Sequence, residues 1–137
     1  MLRVWLIAGV AALCISGCRR AQKAEAGQVA VGWRPLGSWS GRGSVQTDSF
    51  NVEGGQWRIH WEARKEAGAT AGTFRITVHS AVSGRPLMVA VEHTGAGHGT
   101  ATVNEDPRLF HLVIESSGLD WSVSAEEAVV GTVREER

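Results

Sequence analysis

Cysteine is almost missing from this chain: of 137 residues only Cys14 and Cys18 are cysteines, and both lie near the N-terminus. Everything downstream is therefore without a disulfide framework, and a core there is held by packing alone. Net charge is missing too. Fourteen Lys and Arg balance fourteen Asp and Glu, and without a strong field of either sign nucleic acid is not expected as a partner. No apolar run is long enough to span a bilayer: the run from Val4 reaches Arg19 after 15 residues, against about 20 for a crossing helix. No helical period is sustained beyond Gly41. Catalytic signatures are also wanting. None of the serines stands in a nucleophile elbow, and no carboxylate pair is spaced for acid-base work. The glycine-rich run from Gly95 to Gly99 lacks the Lys-Ser/Thr that would make it a phosphate loop. No enzyme and no cofactor is expected.

What is present begins at the N-terminus. Arg3 supplies a positive charge, Val4 to Ile15 is free of charge, and Ser16-Gly17 offers the small residues that a signal peptidase accommodates, which is the arrangement of an export signal. Cleavage is expected before Cys18. The stretch Ile15-Ser16-Gly17-Cys18 resembles the lipobox of bacterial lipoprotein precursors: an aliphatic residue, two small ones and a cysteine. That resemblance covers residues 1–18. It implies diacylglyceration of the Cys18 thiol, removal of the signal and acylation of the new N-terminus, with the membrane as partner. Two or more acyl chains hold a protein at a bilayer where one holds it marginally, at about 0.8 kcal/mol for each buried CH₂. Arg19 and Arg20 oppose translocation under the positive-inside bias, and an uncleaved anchor is the alternative. Where the resemblance extends to Gram-negative sorting, Arg19 in place of Asp implies the outer membrane. Loss of residues 1–17 removes only Arg3 among the charges, leaving 13 basic against 14 acidic residues and no thiol besides Cys18.

The expected organisation is a signal over residues 1–17, a lipid anchor with a flexible linker over 18–36, a β-sandwich over 37–128 and a polar-ended tail over 129–137. The linker reading rests on the polar, Ala-rich run from Arg19 to Val31. Trp33 and Trp39 flank Pro35 and Gly37 and are expected to cap the end of the core, with a ligand platform as the alternative.

From Gly41 onward short alternating runs are punctuated by Gly, Pro, Asp and Asn about every ten residues, the pattern of an all-β sandwich. Period two places Trp57, Ile59 and Trp61 inward and Arg58, His60 and Glu62 outward. The same rule sends Phe74, Ile76 and Val78 inward, then Leu87, Val89 and Val91, then Phe110, Leu112 and Ile114, then Trp121, Val123 and Ala125. Leu109 and Val113 form a second apolar column on the Phe110 strand, which suggests a central position. The expected fold class is all-β: one antiparallel, jelly-roll-like sandwich of seven to eight strands. Gly41-x-Gly43 with Thr47 and Phe50, Trp57-x-Ile59-x-Trp61, Phe110-x-Leu112-x-Ile114 and Trp121-x-Val123 together resemble small exported sandwiches of the pre-peptidase C-terminal and CUB-like kind. That resemblance implies a non-catalytic binding or accessory module.

Among candidate sites, His60, His79 and His111 fall on the polar sides of three strands and would suit zinc or copper if those strands are neighbours. Solvated or singly hydrogen-bonded imidazoles are the simpler reading. His93 and His98 flank the glycine-rich bend without a ligand spacing. Asp48, Glu53, Glu105 and Asp106 lie near strand ends, where Ca²⁺ or ordinary turn chemistry would account for them. Leu109, His111 and Val113 form a candidate apolar binding surface. The sequence reading is thus a lipid-anchored, cell-envelope sandwich with a binding or structural role, an envelope protein or glycan as its partner, metal sensing through the histidines as the first rival and an enzyme of unknown class as the second.

Overall fold

The computed structural model describes residues 28–133, and the side chains of 30–131. Nine strands follow in order: β1 (Gln28–Gly41), β2 (Val45–Gln46), β3 (Phe50–Val52), β4 (Trp57–Lys65), β5 (Thr73–Ser80), β6 (Pro86–Thr94), β7 (Gly97–Val103), β8 (Arg108–Ser117) and β9 (Leu119–Val133). They form two antiparallel sheets packed face to face. One has the order β1-β9-β4-β7; the other runs β2-β8-β5-β6, with β3 also paired to β8. The all-β sandwich expected from the alternation is what the chain forms.

The core follows from that alternation. Trp57, Ile59, Phe74, Ile76, Val78, Phe110, Leu112, Ile114, Trp121, Val123 and Ala125 are all buried between the sheets. Phe50 and Phe110 from one sheet meet Trp57 from the other, with ring centroids 5.3 and 5.1 Å from the indole. Trp61 points inward as expected but keeps some exposure. Its register partner on β7 is Gly99, and a Cβ there would sit 3.0 Å from Trp61 Nε1, so the indole lies across the space a side chain would fill.

The β6 column departs from expectation. Val91 is buried and Leu87 packs against the core as expected, but Val89 is 49% exposed, while Met88 and Ala90 also pack against the core. Ile76 pairs with Val91 and Thr77 with Val89, so Ala90 is an extra residue in β6 and such a bulge inverts the alternation as far as Met88; a second shift, from Val78–Met88 to His79–Pro86, skips Leu87. At the other side of the core the chain changes sheets over Gly118, whose φ of 73° is open to glycine. Leu119 directly after it starts β9 and is 1% exposed.

The expected boundaries shift at both ends. The sandwich begins inside the stretch read as linker, because β1 starts at Gln28, and it runs on into the stretch read as tail, because β9 extends to Val133. These two stretches are partners: Gln28 pairs with Val133 and Gly41 with Trp121, with one register shift between Pro35 and Gly37. Cys18 and the stretch Ile15-Ser16-Gly17-Cys18 read as a lipobox lie outside the described residues.

Glu127 breaks the apolar rule of the interior. It is 2% exposed, is paired with the Arg34 guanidinium, and accepts hydrogen bonds from the backbone N–H groups of Glu53 and Gly54 at 3.0 and 3.1 Å. A buried carboxylate requires such partners, and here they tie the β3–β4 turn to β1 and β9.

Candidate functional site

The outward side chains of the β1-β9-β4-β7 sheet are determined by register. Ser40 pairs with Ser122 and Ser38 with Ser124; Ser122 faces Glu62 and Ser124 faces His60; Glu62 faces His98 and His60 faces Thr100. Two cross-strand rows result, each running Ser, Ser, a long polar residue on β4, then His98 or Thr100 on β7. Short serines on β1 and β9 beside taller side chains on β4 leave an open trough of about 820 Å³ across four strands.

One end of the trough is held rigidly. His60 Nε2 lies 2.7 Å from Glu126 Oε1 and its Nδ1 2.9 Å from Thr100 Oγ1. Arg58 donates to the same Glu126 oxygen at 2.7 Å and stacks over the Trp33 ring at 3.5 Å from its centroid. Hydrogen bonds from His60 and Arg58 hold the Glu126 carboxyl below its usual range. Trp33 is thus part of this outer face, while Trp39 packs on Phe50 at 5.6 Å and donates its indole N–H to Asp48 at 2.8 Å.

Thr100, His60 and Glu126 stand in the order hydroxyl, imidazole, carboxylate, which has the roles of a nucleophile, base and orienting group. Acyl transfer also requires donors aimed at a developing oxyanion. The backbone N–H groups around His60 lie in the plane of the sheet, within the ladders to β7 and β9, and do not point up the face. Glu126 is also shared with Arg58, which weakens its hold on an imidazolium. The arrangement is suited to presenting fixed donors and acceptors to a ligand.

The histidine cluster is not assembled. His79 and His111 are register partners on β5 and β8, with rings stacked at 5.1 Å, but His60 belongs to the other sheet. Among the described residues no three His, Cys, Asp or Glu side chains are grouped to hold a metal ion. Asp48, Glu53, Glu105 and Asp106 are thus not brought together as calcium ligands, and Asp48 is occupied by Trp39. His93 packs against Trp61 at 5.1 Å between ring centroids and lies 3.2 Å from the Ala96 carbonyl; His98 stands in the trough. Leu109, His111 and Val113 share the outer side of β8, but only Leu109 is exposed and His111 is 7% exposed.

Burial, and the His79 imidazole beside it, hold His111 below the ordinary histidine range. Unfolded, this imidazole takes up a proton at about pH 6.5, whereas the folded one resists until a lower pH. The unfolded state therefore binds more protons in that window. His111 is expected to cost stability as the pH falls below about 6.5, and melting temperatures measured from pH 7 to pH 5 should fall less steeply for His111→Phe than for the wild type. Equal slopes would show that His111 is not the group responsible.

Alternation in the sequence places Arg58, His60 and Glu62 outward, and the spacing of Ser122, Ser124 and Glu126 between Trp121, Val123 and Ala125 carries the same signal. Ser38, Ser40 and Thr100 carry no comparable mark. No family model and no curated protein matches the chain. Solved structures with partial likeness include one of the disulfide-linked pili that Bacillus endospore appendages form, at TM-score 0.44 and 12% identity over 81% of this chain and 99% of the other. Another is the CBM22-1 xylan-binding domain of Paenibacillus barcinonensis Xyn10C, at TM-score 0.42 and 14% identity over 82% of this chain and 100% of the other. A third is the C-terminal family 22 carbohydrate-binding module of Clostridium thermocellum Xyn10B, at TM-score 0.39 and 14% identity over 75% and 88%.

Proposed function

We propose that this is a lipid-anchored cell-envelope protein whose sandwich is a non-catalytic binding module, and that the trough on the β1-β9-β4-β7 sheet receives a polyhydroxylated ligand, a glycan. One observation carries the reading. Four serines, Thr100, His60, His98 and Glu62 converge on an open surface that spans four strands, on rigid strands that hold their positions. Sugars offer hydroxyls that both donate and accept, and a row of hydroxyls, imidazoles and a carboxylate answers both roles. An open trough fits a chain better than an enclosed small molecule, since pockets for the latter bury most of the ligand. The anchor reading rests on Ile15-Ser16-Gly17-Cys18. Attachment at Cys18 would present the trough at a membrane surface, next to whatever polymer lies there.

The test is calorimetric titration of the protein with soluble peptidoglycan fragments and a panel of neutral and acidic polysaccharides. Glu62→Ala combined with His98→Ala is expected to weaken binding at least about tenfold, on the order of 1.4 kcal/mol, with an unchanged melting temperature, because both side chains are exposed. Failure to bind any member of the panel, or full affinity in the double variant, would rule out the trough as a glycan site. Intact-mass analysis of the exported protein, with Cys18→Ala alongside, tests the anchor separately.

A further inference from the structure

Strand β9 outruns β4. Its pairing with β4 ends where Glu127 meets Trp57, yet its pairing with β1 continues to Gln28 and Val133. The first part of β1 and the last part of β9 therefore form a two-stranded ribbon projecting beyond the sandwich. Residues 28–33 and 128–133 contain no charged side chain, and the first charges, Arg34 and Glu127, pair with each other at its base. Within the ribbon Val31 is 58%, Val129 45% and Val130 66% exposed. Such a ribbon is marginal in water.

The same end of the molecule carries more exposed apolar surface. Trp57 contacts Phe50 and Phe110, which places the Trp57 end of one sheet over the Phe110 end of the other. There the β5–β6 turn presents Val82, 83% exposed, and Leu109 lies beside it, its carbonyl accepting from Ala81 N–H. Five of the seven large apolar residues found exposed, Val31, Val82, Leu109, Val129 and Val130, are thus gathered at one end, with only Val45 and Val89 elsewhere among the described residues. Scattered exposed valines need no explanation, but a set confined to one end marks a contact surface.

We infer that this end rests on the lipid surface, with the ribbon tip entering the headgroup region and the exposed loop charges beside Val82 and Leu109, Glu53, Arg85 and Asp106, left at the polar headgroups. The inference builds on the lipid-anchor reading of Cys18. Ten residues separate Cys18 from Gln28 at the ribbon tip, and a chain of that length spans at most about 35 Å. The anchored cysteine thus holds this end, and not the opposite one, within reach of the bilayer. The ribbon itself, residues 28–33 and 128–133, carries no charge, and the charged run Arg134-Glu135-Glu136-Arg137 that follows Val133 is met by polar headgroups rather than by the acyl core. A second copy of the chain is the competing occupant, and nothing about the tether would favour it.

Because Cys14 precedes the expected cleavage site and the Cys18 thiol would be acylated, a cysteine introduced elsewhere is the only free thiol in the exported protein. The full-length chain is exported in three variants, Val130→Cys, Val82→Cys and Thr70→Cys. Each is labelled with an environment-sensitive fluorophore and reconstituted into vesicles of phosphatidylethanolamine and phosphatidylglycerol containing spin-labelled lipid. Thr70 lies in the β4–β5 loop at the opposite end, where Glu66 N–H bonds the Gly118 carbonyl. Lipid quenching is expected to be roughly fivefold stronger at positions 130 and 82 than at 70, as interfacial burial requires. Equal, weak quenching at all three, in protein that floats with the vesicles and carries the acyl mass, overturns the docked orientation and leaves the anchor standing. Absence of the acyl mass overturns both. Shielding of position 130 that ignores the quencher and grows with protein density in the membrane assigns the tip to a second copy and overturns the lipid contact.

Discussion

Trp57→Ala is expected to destabilise the fold by about 3–5 kcal/mol, the range for removing a large aromatic from a packed interior. Trp57 is fully buried and stands where the sheets meet, in edge-to-face contact with Phe50 at 5.3 Å and 5.1 Å from Phe110. Truncation to a methyl group leaves a void lined by the Phe50 and Phe110 rings of the facing sheet, and the two cannot both close on it because each is fixed to a different strand, β3 and β8. Its indole N–H has no hydrogen-bond partner among the described residues. Trp57→Phe is therefore expected to cost much less, about 1–2 kcal/mol, since removing an unsatisfied buried donor offsets part of the lost volume. Urea denaturation of both variants measures the difference. A midpoint for Trp57→Ala close to the wild type would mean that the sheets are joined elsewhere.

Glu127→Ala is expected to cost about 2–4 kcal/mol, despite removing a polar group from the interior. The reason lies in its partners. Two backbone N–H groups, of Glu53 and Gly54, point at its carboxylate and would be left without an acceptor. Arg34, already half in solvent, loses less because water can replace the carboxylate. Glu127→Gln keeps an acceptor oxygen for the turn and should recover part of the stability. Hydrogen exchange gives a local check: amide protection at Glu53 and Gly54 should collapse in the Ala variant and persist in the Gln variant.

The core columns are legible because period two needs only local sequence: Trp57-x-Ile59, Phe74-x-Ile76-x-Val78 and Trp121-x-Val123-x-Ala125 announce their inward faces unaided. What period two does not carry is which strand lies beside which. His60, His79 and His111 all read as outward, yet the sheet order puts one on the opposite side of the molecule from the other two. The trough is hidden for the same reason, since Ser38, Ser40, Ser122 and Ser124 become a surface only when β1 lies against β9. β1 itself reads as linker because its burial comes from a partner at the far end of the chain. Val89 reads as inward because one inserted residue, Ala90, shifts the alternation, and nothing in the run Leu87 to Glu92 marks where the insertion falls.

The pairing of β1 with β9 also governs how the molecule reaches its folded state. The first strand finds its sheet neighbour in the last, and β4 too depends on β9 for one of its two ladders. Until the final segment arrives, β1 has no partner in its sheet and β4 has only β7. Folding dominated by such distant pairings is slow. The sheet that carries the trough cannot close before Leu119–Val133 is in place, so a chain cut short upstream of β9 is expected to stay open to proteolysis.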